Sequence, residues 1–126
     1  MDKVIYLDHA STTPVDPEVV QAMLPWHSEQ FANPSTVYSL GLTAAKAVQQ
    51  ARETIARTIG GTPEEIYFTS GGTESDDWAI VGTAEAQRRK GRHLITSTIE
   101  HHAVLESVEY LEKRGYEVTR VPVDSA

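Results

Sequence analysis

A chain of 126 residues without cysteine offers at most one domain's worth of sequence, and it excludes disulfides, thiolate metal ligands and a cysteine nucleophile of its own. Its formal charge of −7 argues against nucleic acid as a partner, because neutralising phosphates takes clustered cations, and no apolar run is long enough to span a membrane. With 40% apolar residues and no signal-peptide pattern at Met1-Asp2-Lys3-Val4, a small core and a cytoplasmic location are the expectations.

Val4-Ile5-Tyr6-Leu7 reads as a short extended arm, and Asp8 to Pro14 as a polar loop. Asp16-Pro17-Glu18 starts a helix, with Asp16 as N-cap and Pro17 at the first helical position. That helix turns Val19, Val20, Met23 and Leu24 inward and ends near Pro25. Phe31 to Thr36 is a loop in which Asn33, before Pro34, is held extended. From Leu42 to Ile59 the residues Ala44, Ala45, Val48, Ala51, Ile55, Ala56 and Ile59 recur at three and four. This is the spacing of one apolar helical stripe. Gly60-Gly61 closes the helix.

The remainder alternates. Ile66 to Thr69 reads as a strand, and Ser75 to Arg89 as a helix with Ala79, Ile80, Gly82, Thr83 and Ala86 near its packed face. Arg88, Arg89, Lys90 and Arg92 then sit at a helix C-terminus, where cations are favourable for a structural reason. His93 to Ser97 is a strand, and Ala103 to Arg114 a helix with Val104, Leu105, Val108 and Leu111 inward and Gly115 as stop. Glu117 to Pro122 is a third strand. This order predicts an α/β fold, a parallel βαβαβ unit with right-handed crossovers. No helix follows the third strand, so one face or edge is left uncovered. Residues 1–126 thus read as a single incomplete unit: an arm over 1–13, and over 14–126 the start of a larger domain.

Ligands of such sheets bind beyond the C-terminal ends of the strands. Two stretches lie there, Gly71-Gly72-Thr73 and Thr98 to His102. The first is a strand–turn–helix junction. It gathers unpaired N–H groups and the positive end of a helix dipole, which suits a phosphate. Thr73 can add a hydroxyl donor. A helix capped by Thr73 or Ser75 accounts for the same residues without any ligand. The glycine spacing fits neither a P-loop nor a dinucleotide fingerprint. His101 and His102 are either an acid–base or ring-stacking pair or simply a helix cap. Adjacent histidines rarely share an ion and no third ligand suggests itself, so no metal is expected.

Four segments together resemble the cysteine desulfurases, pyridoxal-phosphate enzymes grouped with the class V aminotransferases. They are Tyr6 to Pro14, Asn33-Pro34-Ser35, Phe68 to Ser75, and Glu100-His101. The resemblance runs from Tyr6 to the end of the chain. It implies the aspartate-aminotransferase-like fold (fold type I), a homodimer, and the opening section of its large domain. It implies pyridoxal 5'-phosphate, with the phosphate held at Gly72 and Thr73 and His101 stacked on the ring and moving protons. The reaction implied is conversion of L-cysteine to L-alanine. Its sulfur passes to an acceptor protein for iron–sulfur cluster or thio-cofactor assembly.

The chain departs from the family pattern at His9, Ser11, Tyr38, Gly72, Asp76 and Asp77. The family's Ser-x-His-Lys segment, with the cofactor lysine, is not present. Lys3, Lys46, Lys90 and Lys113 sit in surface-like or helical contexts. The expectation is therefore that activity needs a complementary C-terminal segment or chain, and that this chain alone is inactive. The alternative is a truncated, non-catalytic paralogue serving as a binding or regulatory module.

Overall fold

A computed structural model describes residues 4–124; Lys3 lies outside them. The chain divides into two compact units, Met1–Tyr67 and Phe68–Ala126.

In the first unit, helix α1 spans Pro17–Ser28. Asp16 caps it as expected, its carboxylate accepting the Glu18 N–H at 2.8 Å. The helix runs three residues past Pro25, because a proline within a helix removes one hydrogen bond without stopping the chain where other contacts continue it. Helix α2 spans Ser39–Ile59, and Gly60 ends it at φ 74°, a left-handed conformation that favours glycine. Its start lies three residues before the expected Leu42, since Ser39-Leu40-Gly41 precede the alanine-rich stripe from which the start is read.

Gly41 on α2 is buried beneath the Asn33–Thr36 turn. The Asn33 side chain accepts the Ser35 N–H at 2.8 Å, and the Asn33 carbonyl accepts the Thr36 hydroxyl at 2.7 Å. A short 3₁₀ turn, Pro63–Glu65, follows α2. Arg52 donates to the Ile66 carbonyl and holds this return against the helix. The expected apolar stripes are only partly covered. Ala44 and Ala56 are buried, whereas Val19, Met23, Leu24, Val48, Ile55 and Ile59 stay substantially exposed. The described residues of this unit include no second layer to cover them.

In the second unit, β1 (His93–Ser97) and β2 (Glu117–Val121) pair in parallel, His93 opposite Glu117 and Ser97 opposite Val121. The crossover between them carries α5, His102–Glu112. Its C-terminal stop is Gly115 at φ 86°. Ala103, Ser107, Val108 and Leu111 of α5, with Tyr116, form the buried core. The Tyr116 hydroxyl donates to the Ala84 carbonyl at 3.0 Å, and Arg120 bridges to Glu112 at 2.7 Å.

Two expectations need correction here. Ile66 to Thr69 is not a strand. Ile66 has extended angles, but among the described residues the sheet consists of β1 and β2, a strand being defined by its place in a ladder, and the boundary between the units falls inside this segment. The helix expected over Ser75 to Arg89 runs instead from Gly72 to Gln87, as α3 (Gly72–Asp77), a π-helical turn (Trp78–Gly82) and α4 (Thr83–Gln87) in succession. A π-turn takes more residues per revolution and rotates all that follows. Of the positions expected on the helix's packed face only Ile80 is half-covered, with Val81, Ala84 and Glu85 beside it from the π-turn onward, whereas Ala79, Gly82, Thr83 and Ala86 are exposed.

Candidate functional site

Gly71 is the N-cap of α3, and neither a Thr73 nor a Ser75 side chain caps it. The N–H groups of the first helical turn have no acceptor one turn back. Beside them stand four hydroxyl residues, three of which are committed internally. Thr69 bonds the Gly71 carbonyl at 3.1 Å and the Ser75 hydroxyl at 2.7 Å. Ser75 also donates to the Gly71 carbonyl at 3.2 Å. Ser70 donates its hydroxyl to Glu74 at 2.7 Å. The Thr73 hydroxyl alone among the four makes no hydrogen bond within the described residues. A Cβ built on Gly71 or on Gly72 meets nothing within 4 Å, so the protein's own packing does not call for glycine at either position. Open space over the backbone of a helix's first turn is what close approach of an anion needs.

Glu74 is a participant that sequence reasoning missed. Its carboxylate reaches back to the Ser70 N–H at 2.6 Å as well as the hydroxyl, a local cap one residue longer than the usual box. The serine–glutamate pair at a spacing of four was the available signal. These bonds, the backbone one foremost, hold the Glu74 carboxyl below its usual value of 4.5. A folded value below the unfolded one contributes stability above the usual value, and that stability is lost as pH falls through the lowered one. The Ser70 amide is accordingly expected to lose hydrogen-exchange protection on acidification below pH 4.5. In Glu74→Gln its exchange should show no such acid step. An unchanged profile in the variant would assign the step to another group.

The other stretch supplies His101, the N-cap of α5. Its Nδ1 accepts the Ala103 N–H at 3.1 Å, and the ring is exposed. The first turns of α3 and α5 reach one cavity of about 410 Å³, lined by Thr73, Asp77, Val81, Ala103, Ser107 and Tyr110 among others. The fold thus brings the glycine turn and the histidine end of α5 to the same side of the second unit. Asp77 points across to α5, its carboxylate 3.2 Å from the Ser107 hydroxyl. That hydroxyl sits closer, at 2.8 Å, to the Ala103 carbonyl.

His9 and His93 have structural surroundings. His9 packs edge-on against Tyr6 at 5.0 Å between ring centroids. His93 bonds the Thr119 hydroxyl at 2.7 Å across the sheet. Lys90 precedes β1 and Lys113 follows α5, at the end of the unit opposite the glycine turn, and Lys46 lies on α2 in the other unit.

A glycine turn opens one helix and a histidine beyond the end of β1 opens the next, beside a parallel pair of strands, which is the arrangement of an α/β protein. The chain belongs to the class V aminotransferase family, whose pattern matches residues 5–126. Among its relatives are cysteine desulfurases named IscS. That of Methanosarcina thermophila is 55% identical over 98% of this chain and 30% of its own length. That of Clostridium botulinum is 48% identical over 98% of this chain and 31% of its own. A solved NifS-like protein superposes with a TM-score of 0.89 at 40% identity, over 96% of this chain and 33% of its own. A second, described as SspA in complex with cysteine, gives 0.84 at 46% identity. The chain therefore spans about a third of the length of the relatives it matches. Among the described residues, no helix is long and apolar enough to cross a membrane.

Proposed function

We propose that this chain forms part of a pyridoxal-phosphate-dependent cysteine desulfurase, in which it holds the cofactor phosphate at Gly72 and Thr73 and sets His101 against the ring. The observation that carries the reading is the uncommitted Thr73 hydroxyl at a helix start where the three neighbouring hydroxyls are tied. Backbone N–H groups and one hydroxyl are the donor set a phosphate takes.

Pyridoxal phosphate, when bound, supplies the electron sink for cleaving a bond of L-cysteine. The contribution of this chain is to bind and orient. The first turn of α3 and the Thr73 hydroxyl fix the phosphate, and His101 stands over the neighbouring helix start. The lysine that would anchor the cofactor, and the cysteine that would carry sulfur to an acceptor protein in iron–sulfur or thio-cofactor assembly, lie on other sequence. In this reading both units belong to one large domain, completed by a C-terminal segment and paired as a homodimer. The uncovered apolar side chains of α1 and α2 support that completion.

The test is a chimera in which this chain replaces the matching segment of the Methanosarcina thermophila relative. It is expected to take up pyridoxal phosphate and to release alanine from L-cysteine. Thr73→Val in the chimera removes one hydrogen bond to a charged group and should weaken cofactor binding roughly ten- to a hundredfold. The isolated chain is expected to show no turnover above free cofactor. A folded chimera that takes up no cofactor would overturn the reading in favour of a non-catalytic binding module.

A further inference from the structure

The hydrogen bond that caps α5 also decides where the His101 proton resides. The Ala103 N–H donates to Nδ1 at 3.1 Å. A ring nitrogen that accepts a hydrogen bond carries no hydrogen, so the neutral imidazole holds its proton on Nε2. In the usual arrangement of a histidine base the polarity is reversed. There a carboxylate or carbonyl accepts from Nδ1–H, and Nε2 is left free to take a proton. Among the described residues no such acceptor orients His101. The adjacent carboxylate, Glu100, is taken up by the Ser97 hydroxyl at 2.7 Å. The His102 ring meets His101 only edge-on, at 6.4 Å between centroids. The backbone angles of His101, φ −60° and ψ 148°, are those of an N-cap, which places its side chain at the first turn of α5.

We infer that the Ala103 main-chain N–H is a positioning group that fixes His101 as a neutral hydrogen-bond donor through Nε2–H. The ring is exposed, so the donor is presented to a ligand, and the complementary chemistry is an acceptor oxygen or nitrogen. With the cap in place, Nε2 has no lone pair with which to take a proton. Loss of the Nε2 proton from the neutral ring would leave an anion. Proton transfer through His101 therefore requires release of the Ala103 N–H first. This inference rests on the proposed cofactor reading for its functional meaning, but not for its test.

The test uses the ¹⁵N-labelled full chain without cofactor, at a pH where imidazoles are neutral. Long-range ¹H–¹⁵N correlations are read for His101, assigned by their disappearance in His101→Asn. The expected result is a single Nε2–H pattern, with scalar coupling across the Ala103 N–H to Nδ1. In Ala103→Pro, which removes the donor within the first helical turn, the pattern should shift to the averaged values of a mobile ring. A wild-type Nδ1–H pattern, or averaged shifts in the wild type, would overturn the inference. Should Ala103→Pro fail to fold, the wild-type coupling still decides, because its absence refutes the bond. Failure here leaves phosphate binding at Thr73 intact, and a chimera without cofactor leaves the tautomer intact, so the two outcomes are separable.

Discussion

Leu111→Ala is expected to lower the stability of the second unit by about 2–5 kcal/mol, the range for deleting a buried leucine whose surroundings relax only in part. Leu111 is 0% exposed, the one large side chain that the unit encloses fully among the described residues. It lies on the face of α5 that also buries Ala103, Ser107 and Val108. Total domain stabilities are commonly about 5–15 kcal/mol, so this loss would be a large share. Hydrogen exchange of the β1 and β2 amides is the appropriate measurement, because α5 is the crossover that joins the two strands and carries most of the unit's buried side chains. Ile95→Ala is the control. Ile95 lies on β1 but is 70% exposed, and its truncation should stay within about 0.5 kcal/mol. Equal losses for the two variants would mean that the core is not organised around α5.

The second large effect concerns a glycine. Gly41→Ala is expected to destabilise the first unit by about 1–3 kcal/mol or more, the cost of overpacking. A Cβ there would stand 2.7 Å from the Thr36 carbonyl oxygen and 2.9 Å from that of Asn33, and would overlap the Thr36 hydroxyl. Two of these neighbours are backbone atoms, which cannot swing aside as a side chain does. The loss should appear as exposure of the Ser35 and Thr36 amides and fraying of the first turns of α2. Gly72→Ala provides the contrast. Its Cβ meets open space and its position is helical, where alanine is favoured over glycine by up to about 1 kcal/mol. Helix stability should therefore hold or rise. A Gly41→Ala protein as stable as the wild type would show that the Asn33–Thr36 turn does not rest on α2.

Much of this molecule was readable from its residues, for local reasons. The cap at Asp16, the stops at Gly60 and Gly115, the limits of β1 and the buried face of α5 each follow from a residue type or a period within a few positions. The motif segments, taken together, carried the family. The site was legible as a set of donors, since Gly72, Thr73 and His101 stand out as residue types beyond predicted strand ends. Three things depended on the third dimension. A strand exists only through its neighbour, so Ile66 to Thr69 could not be settled from its own β-branched and aromatic content. The π-turn at Trp78–Gly82 shifts the helix phase, which no fixed period anticipates. And the state of each polar group is set by its partner in space. The sequence by itself determined which residues could offer hydrogen bonds at the turn. The folded backbone decided which of them were already spent, Ser70 on Glu74, Ser75 on Gly71 and Nδ1 of His101 on Ala103, leaving the Thr73 hydroxyl unengaged. Tertiary structure alone brought Asp77 to Ser107 and Tyr116 to Ala84, because those partners lie 30 and 32 residues apart.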